Sequence, residues 1–313
     1  MTTISFPGIG IGEFKINPVA FRLGSIEVRW YGLIIVTGMI LAFLYCAYRS
    51  KQEGISFDDL LDFAIFTVIF AIIGARAYYV LTSLDQYDSF LEMIAIWNGG
   101  IAIYGAIIAG AITIFVVCKV KKYSWNKTFK FFDAVAPAVM IGQIIGRWGN
   151  FCNGEAFGEV VAEDSWLYFI RMGLNSGNTG YSLQFVHPTF LYESLWNLIG
   201  FAIIHFLYKK KKFDGQIVLM YLSWYGFGRM FIEGLRTDSL YVGIFRISQI
   251  VGLLCFVICG ALLILGFIQV NKKSKRTALE GIAEESIEET ETQNTEEITE
   301  STETENTEEK DGE

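Results

Sequence analysis

The chain has little of what soluble domains use to coat a surface and build loops. Charged residues make up only 19% of 313 positions and proline only 4, while 52% of positions are apolar. That balance argues against a soluble fold, because the charge is too sparse to cover so much apolar surface. Histidine occurs twice, which leaves few candidates for a neutral-pH base. Residues 1–25 contain no continuous apolar core, so no cleavable leader is expected. Of the five cysteines, Cys46, Cys118, Cys255 and Cys259 lie in or at the ends of apolar runs, which excludes a disulfide framework. No internal repeat is visible. That weighs against the main rival reading, a polytopic membrane transporter of an anionic substrate, because many transporters are built from repeats.

What is present is a series of apolar runs at about 31–48, 59–82, 98–118, 132–150, 188–208, 215–234 and 245–270. Each approaches the ~20 residues that cross a bilayer as a helix. The expected fold is therefore an all-α membrane protein of about seven transmembrane helices. Lysines cluster at 119–130, 209–212 and 272–275, whereas 85–92 has no cation and 151–187 only Arg171. Positively charged loops stay in the cytoplasm. This places the N-terminus outside, the C-terminus inside, and a small extracytoplasmic head at 151–187. Residues 1–30 form an extracytoplasmic arm in this reading, possessing the short apolar alternations of strands. Residues 31–270 form the membrane domain, and 271–313 a basic and then acidic cytoplasmic tail. From Glu280 onward 15 acidic residues face one lysine, leaving a charge of +6 on the rest of the chain. A segment so charged and so poor in apolar residues is expected to be disordered.

Ionisable residues sit where an apolar run makes them costly: Arg76, Asp133, Arg147, Glu155, Glu193, Arg229, Glu233 and Arg236. A charge at the centre of a membrane helix costs roughly 2.5–3.5 kcal/mol, so mutual pairing or a charged ligand must account for them. Tyr225, Arg229, Glu233 and Arg236 fall on one helical face. Residues 146–158, Gly-Arg-Trp-Gly-Asn-Phe-Cys-Asn-Gly-Glu-Ala-Phe-Gly, place glycines, two amides, a guanidinium and a carboxylate within thirteen positions. Glycines admit close backbone approach, Arg147 offers a planar fork for phosphate oxygens, and Asn150 and Asn153 suit esters or hydroxyls. Such a set describes an anionic-headgroup site at a membrane interface; the plainer reading is a capped helix end with an Arg–Glu pair. Cys152 is read as packing.

The same segment resembles the signature of the prolipoprotein diacylglyceryl transferases, Gly-Arg-x-Gly-Asn-Phe-x-Asn-x-Glu-x-x-Gly, at every fixed position. Trp30-Tyr31-Gly32, Gly74-Ala75-Arg76, His187-Pro188-Thr189, Leu191-Tyr192-Glu193 and Tyr225-Gly226 with Arg229, Glu233 and Arg236 extend the resemblance over about 18–270. It implies a multi-pass enzyme of the bacterial cytoplasmic membrane. In that family the lipobox cysteine thiol of a preprolipoprotein signal peptide attacks the glyceryl carbon of the membrane lipid phosphatidylglycerol. A thioether forms and glycerol phosphate leaves, with no metal, organic cofactor or nucleic acid involved. The implied catalytic residues are Arg147, Arg229 and Tyr104; the implied substrate contacts are Tyr31, Asn150, Asn153, Glu155, Gly158, Tyr225, Glu233 and Arg236. One departure is notable: Tyr104-Gly105-Ala106 stands where many members read His-Gly-Gly, and a phenol with a pKa near ~10 is a poor base at neutral pH.

Overall fold

The computed structural model describes residues 1–176 and 183–308, including their side chains except those of Asn98 and Ser176 and those after Glu280. Residues 177–182, within the expected head, lie outside the described residues. The helices are α1 (Trp30–Gln52), α2 (Phe57–Thr82), the short α3 (Phe90–Ile94), α4 (Ile103–Val120), α5 (Trp125–Asn153), α6 (Thr189–Leu207), α7 (Gln216–Ile232) and α8 (Ile247–Glu308). Two compact units divide the chain: residues 1–261, and residues from Leu262 onward, which continue α8.

Among the described residues six helices are long and apolar enough to cross a membrane: α1, α2, α4, α5, α6 with its extension to Lys210, and α8 over Ile247–Glu280. The sixth expected span is the exception. As α7 it has 17 residues, which rise about 26 Å, short of the ~30 Å hydrocarbon layer. It stops because Glu233–Leu235 tighten into a 3-10 turn. The third span also starts later than its apolar run, at Ile103, because Gly99 and Gly100 both have positive φ and break the helix. The fourth runs longer: α5 carries the buried Pro137 and continues through Asn153, where Gly154 at φ +65° closes it.

Two helix layers arise from different seams. Between α2 and α4 the backbones touch, since a Cβ on Gly105 would lie 2.2 Å from the Gly74 carbonyl oxygen. An apolar cluster including Leu60, Phe63, Cys118 and Phe131 joins that pair to α1 and α5. In the other layer α5, α6 and α7 pack together. Here Trp196 of α6 and Trp224 of α7 stack at 4.2 Å, and each indole N–H donates to the other's backbone carbonyl at 3.0 Å. At the lysine-rich end the fully buried Asp133 accepts from the backbone N–H groups of Gly215 at 2.9 Å and Val218 at 3.0 Å, and from Lys211 Nζ at 3.1 Å. Asp133 thus caps α7 and belongs to the scaffold.

The fold is not purely helical. Strands β1 (Thr2–Phe6), β2 (Ile11–Ile16), β5 (Met172–Ser176) and β6 (Gln184–Val186) form an antiparallel sheet in the order β2-β1-β5-β6. Ile4, Met172, Leu174 and Val186 bury one face against Phe190 of α6 and Phe151 of α5. The sheet therefore sits on the helix ends that carry the glycine-rich segment. Hairpins β3 (Val19–Leu23) with β4 (Ile26–Arg29) and β7 (Tyr241–Val242) with β8 (Phe245–Arg246) lead into α1 and α8. Beyond Glu280, where composition predicts disorder, the backbone is helical to Glu308; glutamate's high intrinsic helix propensity favours this without any apolar stripe.

Candidate functional site

The site is assembled around Glu193, one turn into α6 and 2% exposed. Arg147 of α5 pairs with its Oε1 through Nη2. Arg229 of α7 reaches its Oε2 at 3.0 Å through Nη1, and meets Glu233 Oε2 at 2.5 Å through Nη2. Arg236 Nη1 stands 3.9 Å from Glu193 Oε2. Helices α5 and α7 and the segment that follows α7 thus deliver three guanidinium groups to one carboxylate of α6. Glu193 and Glu233 are the buried carboxylates facing these arginines, and Asp238, half exposed, supplies a third at Arg236. Removing one member would leave a partner charged and unpaired at low dielectric.

Arg236 is turned inward and does not reach out to the interface. It is 9% exposed and clamped by Asp238, with Nε to Oδ1 at 2.9 Å and Nη2 to Oδ2 at 2.7 Å. Burial alone would raise the Asp238 carboxyl, but these two bonds outweigh it and hold the group below its ordinary 3.8. Gly158 sets the position of this arm through an antiparallel bridge to Arg236. A Cβ there would fall 2.6 Å from His187 Cβ and 2.9 Å from the Leu235 carbonyl oxygen. Arg246 ties the arm further, donating to the Glu233 carbonyl and pairing with Glu159 at 3.1 Å.

The amides of the signature lie beside Arg147. Asn150 Oδ1 accepts from Arg147 Nη1 at 3.4 Å, and Asn150 Nδ2 and Asn153 Nδ2 donate to Glu155 Oε1 at 3.1 and 3.2 Å. Tyr31 of α1 packs against Gly149, where a Cβ would come 2.9 Å from its ring. Tyr225 stacks on Tyr221 at 6.0 Å, one turn before Arg229. Arg147, Arg229, Arg236, Glu233, Asn150, Asn153 and Glu155 therefore form linked networks at the head end of α5–α7, with Tyr31 and Tyr225 beside them. Tyr104 is linked elsewhere: its hydroxyl shares a 3.0 Å hydrogen bond with Ser248 of α8.

Three residues outside the expected site also matter. Glu193 was legible as a misplaced charge but not as the hub. Arg76 directs Nε to the Met93 carbonyl (2.7 Å), Nη1 to those of Gly99 (2.6 Å) and Gly100 (2.8 Å), and Nη2 to that of Glu92 (2.7 Å). It organises the α2–α4 connection. His187, buried before α6, faces Tyr192 OH at 3.2 Å through Nδ1. Burial holds its pKa below the ordinary 6.5, with Glu159 acting in the opposite sense. No group of metal-ligating side chains occurs among the described residues.

Membrane-length helices with a buried cluster of arginines around one carboxylate define a polytopic membrane protein. Residues 18–265 match the prolipoprotein diacylglyceryl transferase family, and the chain belongs to it. It is 43% identical over 265 residues to phosphatidylglycerol–prolipoprotein diacylglyceryl transferase 1 of Clostridium perfringens, covering 83% of this chain and 98% of that relative. Against the similarly named protein of Streptococcus uberis it is 44% identical over 248 residues, 78% of this chain and 92% of the other. Against that of Streptococcus suis it is 42% identical over 272 residues, 85% and 96%.

Proposed function

We infer that the chain transfers the diacylglyceryl group of phosphatidylglycerol to prolipoproteins, the activity for which its relatives are named. The observation that carries the chemical reading is the convergence of Arg147 and Arg229 from two helices on Glu193. In the reaction the lipobox thiol attacks the glyceryl carbon, a carbon–sulfur bond forms, and the carbon–oxygen bond to phosphate breaks with its electrons on the departing oxygen. Arg147 and Arg229 carry the charge that grows there, where a desolvated guanidinium acts most strongly. Asn150, Asn153, Glu155 and Gly158 shape the headgroup pocket. Tyr31 and Tyr225 position the lipid, while Glu233 and Arg236 fix the orientation of Arg229. Tyr104 serves as a hydrogen-bond donor, since a phenol is a poor base at neutral pH.

The protein spans the bacterial cytoplasmic membrane seven times in this reading, with α7 as the short span. Its sheet and glycine-rich segment face outward and its lysine-rich loops inward. The test is transfer of labelled diacylglyceryl from phosphatidylglycerol vesicles to a lipobox peptide. Arg147→Ala and Arg229→Ala are each expected to lower turnover by at least about 10²-fold, as loss of a transition-state donor does. Arg147→Lys is expected to recover little, because a point charge cannot replace the planar fork. Normal turnover in either alanine variant would refute the assignment.

A further inference from the structure

A second polar layer lies one helical turn beneath the charged one, away from the head. Gln143 precedes Arg147 by one turn of α5, Asn197 follows Glu193 by one turn of α6, and Tyr225 precedes Arg229 by one turn of α7. The helix register keeps these residues level. Glu193 meets Arg147, Ser194 Oγ donates to the Ile144 carbonyl at 3.0 Å, and a Cβ on Gly200 would lie 2.7 Å from Met140. Asn197, between Ser194 and Gly200, therefore faces the stretch of α5 that holds Gln143.

Asn197 is 0% exposed, and neither its Oδ1 nor its Nδ2 has a hydrogen-bond partner. Gln143 Nε2 donates to Tyr221 OH at 3.1 Å, but its Oε1 is likewise buried and unpartnered. Within a membrane-spanning bundle, open amide groups cost stability unless a polar partner is bound. The open set is two carbonyl oxygens and the Asn197 –NH2 group, so a partner that both donates and accepts satisfies it, whereas one that only accepts leaves both oxygens open. An ester carbonyl, which only accepts, fits badly. A thiol fits, because its S–H can donate to a carbonyl oxygen while its sulfur accepts from the Asn197 N–H.

Resting on the transferase reading above, we propose that Asn197 and Gln143 form the seat of the substrate cysteine thiol. In-line displacement requires sulfur on the far side of the glyceryl carbon from the departing oxygen. With reacting atoms roughly 3–3.5 Å apart, sulfur stands about one helical turn, ~5.4 Å, beyond the phosphate oxygen. Phosphate at the arginine layer thus puts sulfur at the carboxamide layer. The two carbonyl oxygens orient the S–H; the carbon–sulfur bond forms as the carbon–oxygen bond breaks. The thiol proton ends on the departing phosphate, whose second pKa is near ~6. Neither amide needs to act as a base.

The experiment compares wild type and Asn197→Leu in phosphatidylglycerol vesicles, using lipobox peptides that carry cysteine or selenocysteine. A selenol is ionised at neutral pH and needs no acceptor for its proton. With the cysteine peptide, Asn197→Leu is expected to lose about ten-fold or more in kcat/KM, the scale of one lost hydrogen bond. With the selenocysteine peptide the loss should shrink to roughly three-fold or less, and the thermal shift produced by phosphatidylglycerol should be unchanged. Equal losses with both peptides would make Asn197 a scaffold residue, and full activity with cysteine would mean the layer merely holds water; either result overturns the proposal. Failure of wild type with both peptides would instead refute the transferase reading.

Discussion

Glu193 sets what Arg147 and Arg229 can do before any lipid arrives. Its Oε1 holds Arg147 and its Oε2 holds Arg229, which fixes the separation of the two guanidinium groups. This was hidden in the sequence because Glu193 and Arg147 are 46 residues apart; only the charge within an apolar run hinted at it. Tyr104 shows the converse. Its motif position suggested the reacting centre, yet its hydroxyl is engaged by Ser248. Tyr104→Phe is accordingly expected to keep turnover within about three-fold of wild type in the vesicle assay; a collapse in rate would restore it to the chemistry. His187 governs a pH effect. Its folded pKa lies below the ordinary 6.5, so the unfolded chain binds a proton that the folded chain resists. The associated stability is complete above about pH 6.5 and falls as pH drops through that value. Thermal midpoints measured from about pH 8 to about pH 5.5 should therefore decline at the acid end, and His187→Gln should flatten that slope.

At the scale of elements, the seams between helices rest on glycines whose role cannot be read from one sequence. Gly74 and Gly105 lie 31 positions apart, and nothing in either run announces that their backbones meet. Gly105→Val is expected to push α4 off α2 and lower stability by about 1–3 kcal/mol, the usual cost of overpacking. Unfolding measured in detergent would show it, and an unchanged midpoint would mean the crossing is loose. Helix existence was legible because apolar runs of membrane length leave few alternatives. Helix ends were less so: Gly99 and Gly100 delay α4, and the turn at Glu233–Leu235 shortens α7. The sheet of β1, β2, β5 and β6 was the hardest element to foresee, since it joins segments more than 150 residues apart.

For the whole molecule, the functional groups concentrate in residues 1–261, while the acidic segment lies in the unit that follows. Deleting residues 281–313 is expected to leave transfer within about two-fold of the full chain, because so acidic a segment, poor in apolar residues, has the composition of a solvating appendage. A severe loss of activity would give the tail a role in the reaction. The reciprocal stacking of Trp196 and Trp224 has its own consequence for how the whole bundle works. Two interlocked indoles act as a rivet that denies α6 and α7 any sliding freedom. The spacing of Glu193 and Arg229 is then built in at folding, and substrate meets a finished clamp instead of closing one around itself.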